Sequence, residues 1–198
     1  MNYEEIIHFI EAKQNSIEEK DYFYHAFAYD QNEFINMLNN GIKSPILLGK
    51  SGSGLNGNFY VSLSKKENYE TQSSINKQLF YLPTFVINDK LKAVKAINCT
   101  KIKKNYPRWI RYSPLPFRES IYDDEYQKFL QVPSQDILAI EYNLKLIFEK
   151  TNRKSFINDL IILKNIIDDL NSQNFNLPII DYHSSKEINK DKVLSLHL

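Results

Sequence analysis

The sequence predicts an α+β fold, with helices and short strands mixed along a single domain, and three observations carry that reading. Two segments, one opening at Asp30 and one from Ser155 to Leu170, space their apolar residues with a helical period. Several shorter runs, Tyr22-Phe23-Tyr24-His25-Ala26-Phe27 foremost, are too dense in aromatics and too short for anything but strands. All five glycines fall between Gly41 and Gly57, and that concentration marks the segment from Gly49 to Gly57 as a loop.

A chain of 198 residues falls in the range of one domain and can bury a sizeable core. Its 25 Lys and Arg against 24 Asp and Glu leave a net charge of +1, so no global field draws it to nucleic acid or anionic lipid. Any charged partner must meet a local patch. The single cysteine, Cys99, has no internal partner for a disulfide and no His/Cys cluster for zinc. His8, His183 and His197 lack ligand-spaced partners, so no metal is expected. Glu4 and Glu5 stand where a signal peptide needs positive charge, and no apolar run reaches membrane-spanning length. The expectation is a cytoplasmic protein without a membrane partner, or one delivered to another cell by a specialised secretion system.

In chain order, Tyr3, Ile6, Ile7, Phe9 and Ile10 predict an amphipathic N-terminal helix within residues 1–20, running to about Glu19. Tyr22 to Phe27 is a buried strand. Asp30 and Glu33 form an N-terminal capping box for the second helix, whose stripe is Phe34, Met37 and Leu38 and whose left-handed stop is Gly41. Pro45-Ile46-Leu47-Leu48 reads as a short strand, Gly49 to Gly57 as a loop, and Phe59 to Ser64 as a strand. After a polar stretch from Lys65 to Lys77, the runs Leu79 to Ile87 and Leu91 to Ile97 predict a hairpin about an Asn88-Asp89 turn. Thr100 to Pro116 is a basic, aromatic, proline-broken loop region. Glu125 to Val132 and Ile137 to Tyr142 read as a closing strand pair across Pro133-Ser134. Residues 143–172 form a C-terminal helical segment that packs on the sheet, and 173–198 read as a polar, poorly specified tail.

The glycine loop does not make a nucleotide site by itself. Gly49-Lys50-Ser51 looks like the end of a P-loop, but Ser44 occupies the first glycine's place and a strand follows where a helix is needed. Gly52, Gly54 and Gly57 match the dinucleotide spacing without the helix that must follow. A kinase glycine loop would be flanked by strands, as here, yet the other kinase motifs are missing.

More informative is Asp124-Glu125-Tyr126-Gln127-Lys128-Phe129-Leu130-Gln131-Val132, followed by Ile137, Ile140 and Tyr142. Glu-Tyr, two residues, an aromatic, two residues and Val ahead of an Ile strand resembles the catalytic-glutamate strand of the diphtheria-toxin-like ADP-ribosyltransferases, including the poly(ADP-ribose) polymerases. Tyr24-His25-Ala26 resembles that family's first motif, and a helix ending at Asn40-Gly41-Ile42 falls where the family has one. Gly57-Asn58-Phe59-Tyr60-Val61-Ser62, with Tyr69 beyond it, resembles the glycine-aromatic-aromatic strand and the later stacking tyrosine. The likeness covers residues 22–142 in the family's motif order.

The resemblance implies two small packed β-sheets flanked by helices around a cleft for NAD. It implies transfer of ADP-ribose to a protein or nucleic-acid acceptor with release of nicotinamide. Cleavage of the nicotinamide bond passes through an oxocarbenium-like state that a carboxylate stabilises, and Glu125 would be that carboxylate. His25 would anchor a ribose, the Ala26 backbone would reach the carboxamide, and Tyr60 and Tyr69 would sandwich the nicotinamide ring. Strand register decides whether Phe59 or Tyr60 faces the ring. Ser62 would support Glu125, while Asp123, on the same strand face two residues earlier, and Gln127 would meet the acceptor. Ala26 stands where the family usually has glycine, which narrows the nicotinamide slot. As an alternative, Lys101, Lys103, Lys104, Arg108 and Arg111, interleaved with Tyr106, Trp109 and Tyr112, suit a non-enzymatic module binding single-stranded nucleic acid or protein.

Overall fold

Aromatic density makes a strand where the sequence expects one, and the chain builds outward from it. A computed structural model describes residues 3–15, 21–50, 59–65, 82–95, 97–98, 119–120, 126–144 and 153–197. In order, the elements are α1 (Tyr3–Ile10), β1 (Glu11–Asn15), β2 (Phe23–Ala26), α2 (Gln31–Asn40), β3 (Ile42–Lys43), a 3-10 turn (Pro45–Leu48) and β4 (Tyr60–Lys65). There follow β5 (Thr84–Ile87), β6 (Val94–Lys95), β7 (Ile97–Asn98), β8 (Glu119–Ser120), β9 (Tyr126–Phe129), β10 (Gln131–Val132) and β11 (Ile137–Tyr142). The chain closes with α3 (Arg153–Ser172), β12 (Ile179–Asp181), β13 (Lys186–Ile188) and α4 (Lys190–Leu194).

The mixed α and β class is as the sequence predicts. Among the described residues, one long sheet runs in the order β1-β13-β12-β11-β5-β2-β4-β9-β6, and β10-β3 and β7-β8 form separate two-stranded pairs. β11 and β12 are parallel, with α3 lying between them in the chain. That is the crossover a parallel pair needs.

One face of the sheet carries Phe23, Leu63, Phe85, Ile87, Ile140 and Tyr142, and it packs under Phe34 and Leu38 of α2 and Leu160, Leu163, Ile166, Ile167 and Leu170 of α3. Burial of the α3 stripe against the sheet is as expected. Stacking fixes the α2 contact more narrowly. Phe27 lies 4.3 Å from Phe85, and Phe34 lies 5.5 Å from Phe27, all three rings nearly parallel. The other face carries a smaller cluster of Tyr22, Tyr24, Val86, Ala139 and Ile180.

Several expectations give way to tertiary pairing. The N-terminal helix stops at Ile10, and Glu11–Asn15 becomes a strand antiparallel to β13, because Ile188 and its neighbours offer a ladder there. Pro45–Leu48 is a 3-10 turn and not a strand. Proline suits a first helical position, and Ile46, Leu47 and Leu48 point outward, each more than 40 % exposed. The strand lies just before it, at Ile42–Lys43.

The Asn88-Asp89 turn forms, with Leu91 N–H donating to Asn88 O at 3.1 Å, yet among the described residues no hairpin pairing follows. β5 already has β2 on one edge and β11 on the other, so β6 pairs with β9 instead. Among the described residues the expected closing pair is likewise absent. β9 joins β4 and β6, β10 joins β3, and β11 joins β5 and β12. Residues 179–194, read as part of a polar tail, hold two strands and a helix that bury Ile179, Ile188 and Val193. Elements this short carry too few residues to show a period. Most of the glycine loop, the polar stretch after Lys65 and the basic-aromatic segment 101–112 lie outside the described residues, as does Cys99.

Candidate functional site

The site begins where two neighbouring strands part. β2 and β4 pair at Phe23 with Lys65 and at Tyr24 with Ser64, and the ladder ends there. Continued in register, it would set Ala26 opposite Ser62. Instead His25 Nδ1 lies 2.8 Å from the Ser62 carbonyl oxygen. A carbonyl only accepts, so Nδ1 carries the proton and Nε2 is the acceptor in the neutral ring.

Backbone polarity shows where Ala26 looks. Phe27 N–H donates to Pro83 O at 3.0 Å, on the β5 side, with β2 and β5 aligned so that Ala26 faces Thr84. Amide groups alternate along an antiparallel strand. The N–H and C=O of Ala26 therefore turn toward β4, into the opening that the His25 ring holds apart.

That opening is a cavity of about 410 Å³, within the roughly 300–1,000 Å³ of small-molecule sites. His25, Ala26, Tyr60 and Ser62 form one wall. Asn36 and Met37 of α2, with Gly41, Ile42 and Lys43, form another, and Glu33, Pro45, Leu48 and Lys50 lie around the remainder. Gly41 has to be glycine. It leaves α2 at φ 78° and ψ 174°, a region reserved for glycine rather than the left-handed helical stop expected. A β-carbon there would sit 2.2 Å from the Val132 carbonyl oxygen.

α2 is fixed at its start. Asp30 accepts from Glu33 N–H at 3.0 Å, as its capping role requires. Asp169 of α3, itself buried, accepts from Tyr29 OH at 2.7 Å and from Gln31 Nε2 at 2.8 Å. The α2 wall is thereby tied to the helix beneath the sheet.

Burial lowers the pKa of His25 from 6.5, and the hydrogen bond to Ser62 O only partly opposes it. The ring is thus neutral in ordinary buffer. Burial likewise raises Tyr60 above 10.0, so its phenol stays protonated. Tyr60 rests edge-on against Phe129 at 5.5 Å, while Phe59 is 41 % exposed and does not line the cavity. Register thus turns Tyr60, not Phe59, inward.

Of the residues singled out in the sequence, His25, Ala26, Tyr60 and Ser62 meet at one cavity. Gln127 does not join them. It sits opposite Ser62 in the middle of β9 and is 1 % exposed, so its amide is enclosed rather than offered to a macromolecular acceptor. Tyr69, Asp123 and Glu125 lie outside the described residues. Glu125 directly precedes Tyr126, which opens β9 and pairs with Leu63 of β4. The sequence does not single out the α2 wall or Lys50 as site residues, since spacing carries no sign that α2 and the end of β4 share a cavity.

Among the described residues, no three His, Cys, Asp or Glu side chains gather as metal ligands, and no helix is long and apolar enough to cross a membrane. No protein-family model, curated protein or solved structure matches the chain.

Proposed function

We propose that the chain is an NAD-dependent ADP-ribosyltransferase, moving ADP-ribose to a macromolecular acceptor and releasing nicotinamide. One observation supports this reading above the others. His25 and Tyr60, on strands that the resemblance makes the first two walls of an NAD cleft, line one cavity at the point where those strands separate.

The chemistry of the wall suits that substrate. Neutral His25, fixed through Nδ1, offers Nε2 to a ribose hydroxyl. The Ala26 N–H and C=O, turned to the same opening, match the acceptor and donor of a carboxamide. Tyr60 presents an aromatic surface beside them, half of the expected sandwich. Glu125 takes the catalytic role, stabilising the oxocarbenium-like sugar as the nicotinamide bond breaks and orienting the attacking group. An acceptor nucleophile bonds to the anomeric carbon, nicotinamide leaves with the bonding pair, and the acceptor's proton passes to solvent.

The direct test is nicotinamide release from NAD by the purified chain, with cell lysate as the acceptor source. Release should occur in the wild type and vanish in Glu125→Gln, with the thermal melt of the variant nearly unchanged. Absence of release from the wild type with every lysate tried would overturn the proposal.

A further inference from the structure

The cavity has a charged rim that the ribose and nicotinamide contacts do not use. Lys50 Nζ lies 2.6 Å from Glu33 Oε1, and both side chains are 60 % exposed. Lys50 follows the left-handed Gly49, while Glu33 sits in the first turn of α2, so the pair spans two separate elements. Both residues line the same cavity as His25, and so does Lys43.

We infer that Lys50 is the anchor for a phosphate or diphosphate group on the cavity's ligand, and that Glu33 holds the lysine in place until that group arrives. This rests on the reading of the cavity as the NAD site and adds an anionic end to it. An exposed ion pair contributes little to stability because water and salt screen both charges. Exchanging the Glu33 carboxylate for a ligand phosphate therefore costs the fold little. The ammonium gains a partner of higher charge, and Glu33 is left facing the ligand. The carboxylate then opposes phosphate binding, so affinity is set below what Lys50 alone would give. Lys43 is a second cation among the residues that line the cavity.

The test is calorimetric titration of the full chain with two probes: ADP-ribose, which carries a diphosphate, and nicotinamide riboside, which carries the ribose and nicotinamide without any phosphate. Lys50→Met should weaken ADP-ribose binding about 10-fold, the loss of one charge-assisted contact. Its affinity should also become less sensitive to salt. Glu33→Gln, which keeps a good capping-box residue, should tighten ADP-ribose about 2-fold. Nicotinamide riboside should bind both variants as it binds the wild type. An unchanged ADP-ribose affinity in Lys50→Met would overturn the anchor, yet leave the proposed enzyme standing if NAD is still cleaved. ADP-ribose binding that depends on Lys50 without any nicotinamide release would remove the enzyme and keep the anchor. A wild type that binds neither probe would sink both.

Discussion

His25 bridges β2 to the Ser62 carbonyl of β4 just beyond Tyr24 and Ser64, the pair at which their ladder ends. An imidazole occupies the hydrogen-bonding position that the backbone of Ala26 would otherwise take. One side chain thus keeps the sheet joined and open at once. The opening is the cavity, and His25, Ala26, Tyr60 and Ser62 line it together.

Acidification should act through this ring. Its pKa in the folded protein lies below 6.5 because burial disfavours the charged form. Below about pH 6.5 the unfolded chain binds the extra proton more readily, so stability falls as pH falls through that range and is unaffected by this group above it. Urea unfolding of wild type and His25→Asn at pH 7.5 and pH 5 should show the wild type losing more stability between the two. Parallel losses in the two proteins would mean that His25 charges freely in the fold.

Gly41 and Gly49 both have positive φ, at 78° and 65°, but only Gly41 is enclosed. Gly41→Ala should destabilise by roughly 2–3 kcal/mol, from backbone strain and a forced shift of the Val132 peptide. Gly49→Ala, with open space around the added methyl, should cost only about 1 kcal/mol. Chemical denaturation midpoints compare the two directly. Equal costs would show that the close approach to β10 relaxes freely.

The tie between α2 and α3 predicts a graded pair of effects. Tyr29→Phe removes one hydrogen bond to the Asp169 carboxylate and should cost roughly 1.5–3 kcal/mol, the range for bonds to charged groups. Asp169→Ala removes that bond and the one from Gln31, and should cost more than Tyr29→Phe in the same unfolding assay. Hydrogen exchange should then rise in α2 before it rises in β5, since α2 loses its tether to α3 while β5 keeps pairing on both edges.

By itself, the sequence determined the pieces whose signal is local. α2 was legible because its cap, stripe and glycine stop fall within one stretch from Asp30 to Gly41, and α3 because an apolar period ran through four turns. β2 and β4 were legible from aromatic and β-branched density, and with them the candidates His25, Tyr60 and Ser62. Tertiary structure alone decided which strands pair. β5 is claimed on both edges, so the hairpin after Asn88 is lost, and β12 and β13 exist because the sheet offers edges to three-residue segments with no period of their own. It decided as well that Gln127 is enclosed, that Tyr60 rather than Phe59 turns inward, and that Glu33 and Lys50 share a rim with His25. The physical reason is common to all of these. Caps and periods are written in neighbouring residues, whereas a pairing partner is chosen by competition among strands distant in the chain, and nothing local records the winner.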